Sequence, residues 1–318
     1  MHEQERPATG DWLDGRLLTS ESAAQAGAGG GRGTAAVVVT YNRADVLRSS
    51  LLAIAGQEWV PDRVFVVDNG SSDQTGAMVR SEFPDVAYHR LEENLGFGGG
   101  LAAGMAEAWR QGYGYFWLLD DDSQPAPGAL KQCLDVAGNS SGLGIIGLTG
   151  GSMRWGTPEF TPEPERPDGL LATTSADWVH LDGAVVPREV VDRLGYPRSD
   201  YFMMLEDVEY SNRIKRAGFE VAHFQLHQGV IERGNLGSGG DGKPSPPWRG
   251  YYQTRNQLFM ALDHRSLPEV MGWLYRQAKL ITATLLLLDR KSVRVGLRLL
   301  GAWHALRGVR GKTVEPGP

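Results

Sequence analysis

The sequence predicts an open α/β fold, a mostly parallel central sheet flanked by helices, whose ligands sit beyond the carboxyl ends of the strands. Three observations predict it. Short continuous apolar runs such as Ala35–Thr40 (AAVVVT), Arg63–Val67 and Tyr113–Leu119 read as strands buried on both faces. Segments with apolar residues at helical spacing lie between them, so strand and helix alternate. The joining loops are short and rich in Asn, Asp, Ser and Gly, the residues of turns and caps.

The elements follow in order. Residues 1–33 are polar, then rich in alanine and glycine, and predict a flexible extension without a packed core. Order is expected from Thr34. Tyr41-Asn42-Arg43 turns the chain after the first strand, and Asp45 is placed to cap a helix carrying Val46, Leu47, Leu51, Leu52 and Ile54. The second strand ends in Asp68-Asn69-Gly70-Ser71-Ser72-Asp73. A helix over 74–83 and a third strand over 86–90 come next. Asn94–Gly100 reads as a glycine-rich loop feeding a helix to about Gln111, and the fourth strand stops at Asp120-Asp121-Asp122. After Ser141 the rhythm changes. Ile145–Leu148 predicts one more strand, and Arg154–Thr173 a proline- and acid-rich excursion. The segment from Leu181 opens a helix through Leu194, and Tyr201–Leu205 leads into a helix from Glu206 to about Ala217. Residues 233–250, rich in glycine and proline, predict a long mobile loop of the lid or binding type.

Composition narrows the function. The chain has 318 residues, 22% charged and 41% apolar, which excludes a disordered chain and a membrane bundle. With 32 Lys or Arg against 38 acids, the formal charge of −6 argues against nucleic acid as the main partner. The single cysteine, Cys133, excludes an internal disulfide framework and a cysteine-built zinc site, and is expected to be a small core residue. No basic start precedes an apolar run at the N-terminus. The longest apolar run, Leu280–Leu288, is about half of the roughly 20 residues a spanning helix needs. A cytoplasmic location is the expectation.

Between Val270 and Lys312 there are nine Lys or Arg and one acid. Lys291, Arg294 and Arg298 fall on one helical face, and Val295, Leu299, Ala302 and Leu306 on another. The segment is either a helix packed on the domain with a solvated basic face, or a peripheral foot on an anionic membrane surface.

The acids carry the chemistry. Unit charges about 4 Å apart repel by roughly 4 kcal/mol at an effective dielectric near 20, so three adjacent aspartates at a strand end are costly. They are either a solvated acidic turn or the oxygen ligands of Mg²⁺ or Mn²⁺. The apolar strand before them favours a buried rim, and Asp120 with Asp122 forms an Asp-x-Asp pair suited to a metal carrying a diphosphate. Asp68 ends the second strand on the same edge, where it either caps its turn or accepts a hydrogen bond from a base. Thr40 and Tyr41 lie where a base or ribose would pass. Glu206-Asp207-Val208-Glu209 sets acids at a helix start, stabilised there by the helix dipole or serving as a general base through Asp207. Gly98-x-Gly100-x-x-Ala103 matches a dinucleotide fingerprint and raises a nicotinamide-dependent oxidoreductase as an alternative. Its place after the third strand, and a triple rather than a single acid beyond it, count against that alternative.

Val-Val-Val-Thr-Tyr-Asn-Arg (37–43), Val-Val-Asp-Asn-Gly-Ser-Ser-Asp (66–73), Asn-Leu-Gly-Phe-Gly-Gly-Gly (94–100) and Leu-Leu-Asp-Asp-Asp (118–122), in that order, resemble the family 2 glycosyltransferases of the GT-A nucleotide-diphosphosugar transferase fold. Leu-Glu-Asp-Val-Glu-Tyr-Ser-Asn-Arg (205–213) and Tyr-Tyr-Gln-Thr-Arg-Asn (251–256) resemble their galactofuranosyl- and rhamnosyltransferase branch. The resemblance spans Thr34 to Asn256. It implies a GT-A catalytic domain over 34–265; the charge pattern makes 266–318 a basic amphipathic helical extension. The resemblance also implies inverting transfer from a nucleotide-diphosphate sugar, UDP-galactofuranose or dTDP-rhamnose first, to a hydroxyl of a glycan, lipid-linked or small-molecule acceptor. By position, Thr40, Tyr41, Asp68 and Asn94 would hold the nucleotide and Asp121 would contact the sugar. Asp120 and Asp122 would hold Mn²⁺ or Mg²⁺ with the diphosphate, and Asp207 would take the acceptor proton. Arg255 would add a cation at the phosphates or pack structurally. The family's metal-binding histidine would fall at Ile231 in this sequence, so either His227 or Glu232 completes the metal site. A nucleotide-sugar binding module without turnover is the remaining alternative, and such a module would not need Asp207.

Overall fold

The computed structural model describes residues 31, 33–160, 173–224, 231–233, 245–287 and 289–317, with backbone alone at 160 and 231–233. The expected N-terminal extension falls almost wholly outside the described residues, as do His227 and positions 234–244 of the expected loop.

The first half alternates as expected: β1 (Thr34–Thr40), α1 (Ala44–Ala55), β2 (Arg63–Asp68), α2 (Thr75–Glu82), β3 (Ala87–Arg90), α3 (Gly96–Arg110) and β4 (Tyr115–Asp120). Then come β5 (Ser123–Pro125), α4 (Ala129–Asn139), β6 (Leu143–Gly147), β7 (Gly150–Arg154), β8 (Thr157–Phe160), β9 (Thr173–Ser175), β10 (Trp178–Val179) and β11 (Val185–Pro187). The chain continues through α5 (Arg188–Leu194), α6 (Glu206–Arg216), β12 (Glu220–Phe224) and β13 (Ile231–Arg233). Three helices close it: α7 (Pro247–Asp263), α8 (Leu267–Leu287) and α9 (Lys291–Leu306).

The main sheet runs β3-β2-β1-β4-β11-β6-β12-β9. Strands β1 to β4 are parallel to one another, while β11 is antiparallel to both its neighbours. Every residue of β1 is buried, because the pleat sends alternate side chains into two cores. Ala35, Val37 and Val39 meet Leu101, Met105 and Ala108 of α3, whereas Ala36 and Val38 meet Leu47, Leu51 and Ile54 of α1. Cys133 is buried in the second core as expected, and burial pushes its thiol up to about 12.

Register aligns the functional ends. Thr40 stands opposite Asp68, and Val39 opposite Asp120, so three strands deliver polar residues to one rim. From β1 the chain leaves toward β2 on one side and β4 lies on the other, which opens a crevice at that rim.

Several expectations need correction. Asp45 does not cap α1: the cap position is Arg43, with no side-chain cap bond, and Asp73 accepts from the Ala44 N–H at 3.3 Å instead. The glycine-rich stretch is helical from Gly96, not a loop. Gly96 has φ +76°, and a Cβ there would lie 1.7 Å from the Phe202 carbonyl oxygen, so the backbone approach excludes any other residue. The short antiparallel strand β11, hidden in the run expected to open a helix, was not read from the sequence. Helix α7 begins at Pro247, inside the stretch expected to be a loop.

The basic face of α9 is only partly solvated: Lys291 is exposed, whereas the two arginines are held against neighbouring segments. Arg294 donates to the Asp289 side chain and the Ser245 carbonyl, and Arg298 to Thr254 Oγ1 and Gln277 Oε1. Gly301 lets α9 approach α7 so closely that a Cβ would lie 2.6 Å from the Tyr251 oxygen. Arg294 and Arg298 are therefore packed; of the face expected to pack, Ala302 packs against a buried cluster while Leu299 and Leu306 are exposed. Among the described residues no helix is long and apolar enough to cross a membrane.

Candidate active site

The crevice at the rim is a cavity of about 630 Å³. Its lining includes Thr40, Tyr41, Asn94, Asp120, Asp121, Asp122 and Asp207, seven residues singled out from the sequence. One carboxylate oxygen from each of the three aspartates lies within 4.8 Å of the others. Burial raises the Asp120 carboxyl well above the usual carboxylate range, and the Asp121, Asp182 and Asp122 charges add to it. A rim that resists its own ionisation is one that a bound cation would stabilise, and an all-oxygen donor set fits Mg²⁺ or Mn²⁺.

The three acids are held differently. Asp121 accepts from Thr40 Oγ1 at 2.8 Å and from Arg43 Nη1 at 2.9 Å. The same guanidinium nitrogen lies 3.4 Å from Asp122. Asp182, just outside β11, accepts from the Asp120 N–H at 3.0 Å and from the Ser123 hydroxyl, so it pins the turn that carries the triplet.

Across the cavity, α6 begins with Glu206 and Asp207. Asp207 Oδ1 accepts from the Val208 N–H at 2.8 Å, and His180 Nδ1 donates to Oδ2 at 2.9 Å. The carboxylate is thereby fixed in orientation, which a general base requires. Glu206 is buried, and its Oε2 has no hydrogen-bond partner among the described residues. Burial, then the charges of Asp207 and Asp120, push it up to about 8. The segment entering α6 is strained, with positive φ at Phe202 (62°), Met204 (72°) and Leu205 (67°). Asn256 of α7 braces it by donating its side-chain amide to the carbonyls of Tyr201, Met203 and Met204 at 2.8–3.1 Å.

Two expected residues are not brought to the cavity. Asp68 is buried behind it, accepting from the Ser71 N–H at 2.7 Å and from the Tyr88 hydroxyl, which is the turn-capping role. Arg255 is fully buried and donates to the carbonyls of Gly311 and Tyr201 and to Thr313 Oγ1, which is the structural role. His227 lies outside the described residues. Glu232 is described by its backbone alone, paired with Gln124 of β5. Sequence reasoning missed Arg43, His180, Asp182 and Arg249, all of which line the cavity. Arg43 stood inside a quoted motif, and Asp182 two residues after His180. Only the fold brings them to the acids.

A family model, Glycosyl transferase family 2, matches residues 35–152. Over those residues the chain is similar to the family 2 glycosyltransferases. The matched residues span β1 to β7, including the aspartate triplet and ending before Asp207. The chain is 29% identical over 199 residues to galactofuranosyltransferase GlfT1 of Mycolicibacterium smegmatis, covering 58% of this chain and 65% of that protein. It is 25% identical over 244 residues to the N-acetylglucosaminyl-diphospho-decaprenol L-rhamnosyltransferase of Mycobacterium tuberculosis, covering 60% and 76%. The match thus spans less than two thirds of the GlfT1 protein's length. The crystal structure of S. aureus TarS 1-349 superimposes with a TM-score of 0.57 at 14% identity, over 86% of this chain and 81% of that one. That likeness establishes a shared GT-A fold. The glycine-rich segment packs against β1, where a Cβ at Gly100 would lie 2.5 Å from Val39, rather than opening toward a dinucleotide. The oxidoreductase alternative is not favoured.

Proposed function

We propose that the chain is an inverting glycosyltransferase that moves a sugar from a nucleotide-diphosphate sugar to an acceptor hydroxyl. The observation that carries this reading is that Asp207, held by His180, faces the same cavity as the aspartate triplet. Thr40, Tyr41 and Asn94 line the side next to β1, where the nucleotide would lie. Asp120 and Asp122 would hold Mg²⁺ or Mn²⁺. That ion, when bound, would neutralise charge on the diphosphate as it leaves. The Asp207 carboxylate accepts the proton of the acceptor hydroxyl while its oxygen bonds to the anomeric carbon and the carbon–oxygen bond to the diphosphate breaks. Attack opposite the leaving group inverts the configuration. His180 keeps the accepting oxygen of Asp207 aimed at the acceptor. The names of the relatives support galactofuranosyl or rhamnosyl donors, and one relative's name supports a lipid-diphosphate-linked acceptor. The test is a thermal-shift screen of UDP-galactofuranose and dTDP-rhamnose with Mn²⁺, followed by product analysis with a lipid-linked glycan. One donor should raise the melting temperature and yield a transferred sugar; stabilisation with no product formed would reduce the chain to a binding module.

A further inference from the structure

We propose that the outward face of the α8–α9 hairpin docks the protein on an anionic phospholipid bilayer. The proposal goes beyond the catalytic reading and stands whichever donor or acceptor is used. Single exposed apolar side chains are ordinary, but these recur at helical spacing on two adjacent helices. On α8, Met271, Leu274 and Tyr275 are exposed. On α9, Leu299, Trp303 and Leu306 are exposed. At the tip joining the helices, Leu286 is 73% and Leu287 80% exposed, and Val293 follows on the other side. This is the face of α9 that the sequence assigned to packing; the packed face instead holds Arg294 and Arg298.

Charge selects the occupant. Lys279, Arg290, Lys291 and Arg307 are exposed around this apolar surface, and the only acid between Val270 and Lys312 is Asp289, which pairs with Arg294. An apolar face rimmed by cations, with a Trp and a Tyr that present apolar rings and polar tips, is the composition of an interfacial helix. A second copy fits less well. A two-fold contact through this tip would set Arg290 and Lys291 of one protomer against those of the other. Arg249 and Gln253 of α7 and Arg276 of α8 line the cavity, so the docking helices also form part of its wall.

The test is sedimentation of the full chain with phosphatidylcholine vesicles, alone and with phosphatidylglycerol as the minor lipid. Binding to the mixed vesicles that falls with added salt is expected, with about a tenfold or greater loss in the Leu286→Glu/Leu287→Glu variant. The Arg290→Glu/Lys291→Glu variant should lose the preference for phosphatidylglycerol. Both variants change exposed side chains and should keep the wild-type melting temperature and donor-induced thermal shift. Absence of binding, or equal binding to both vesicles at every salt concentration, overturns the proposal. So does a dimer in light scattering that the leucine variant dissociates without lipid, which would give the face to a second copy.

Discussion

Asp207 has both carboxylate oxygens engaged, one by a backbone N–H and one by a histidine, yet it lines the cavity. Replacing it with Asn keeps the shape and removes the proton acceptor. Asp207→Asn should therefore lower kcat by about 10²- to 10⁴-fold while leaving the donor-induced thermal shift intact; retained turnover would remove Asp207 from its role. Glu206, its neighbour, gives a pH signature. Its carboxyl rises from an ordinary 4.5 to about 8 in the folded chain. Between these values the folded state binds more protons than the unfolded state, so stability falls as pH rises. Glu206→Gln has no proton to lose. Its melting temperature should match wild type near the lower value, pull ahead as pH increases, and level off above the upper one. Parallel melting curves would contradict the burial argument. At this scale the acids were legible because adjacent carboxylates are costly without a purpose. Arg43 and His180 were not, because a lone cation or imidazole has no spacing to betray it.

The elements explain why two motif residues do not touch the cavity. Arg255 and Asn256 serve the backbone before α6, where non-glycine residues hold positive φ. Removing the Asn256 amide leaves three carbonyls without that donor. Asn256→Ala should cost about 2–4 kcal/mol of stability and reduce kcat more than it changes the donor KM, read by denaturant melts and initial rates. An unchanged kcat would show that the strained segment holds Asp207 without its brace. Buried strands and long helices were legible from apolar periodicity. The start of α3 was not, since glycines suggest a loop unless one knows that a carbonyl of another segment presses against Gly96. The strand β11 escaped for a related reason: three residues are too few to show a period.

Over the whole molecule, one sheet rim gathers acids from separate strands and loops and concentrates their repulsion. Asp120→Asn should raise the melting temperature of the metal-free protein, because it removes a carboxyl whose ionisation is opposed by burial and by the charges of Asp121, Asp182 and Asp122. The same variant should lose most of the Mn²⁺-dependent shift with a nucleotide diphosphate, and EDTA should stop transfer by the wild type until Mn²⁺ or Mg²⁺ is restored. Metal-independent transfer would remove Asp120 and Asp122 from metal binding. The architecture was legible in the sequence because alternating buried strands and helices admit few arrangements. The way α7 to α9 face was not legible, because a helix with a cationic and an apolar side can settle on either until its neighbours are known.

The last residues reach furthest. Gly311 and Thr313 accept from Arg255, Thr313 also meets the Tyr251 hydroxyl, and Tyr252 donates to the Val314 carbonyl. Arg255 in turn donates to the Tyr201 carbonyl, at the entrance to the strained turn before Asp207. This segment therefore acts as a keystone: clipping the chain ahead of Gly311 would loosen the arch that presents Asp207, so a cut made about a hundred residues away in sequence would be felt as sluggish chemistry.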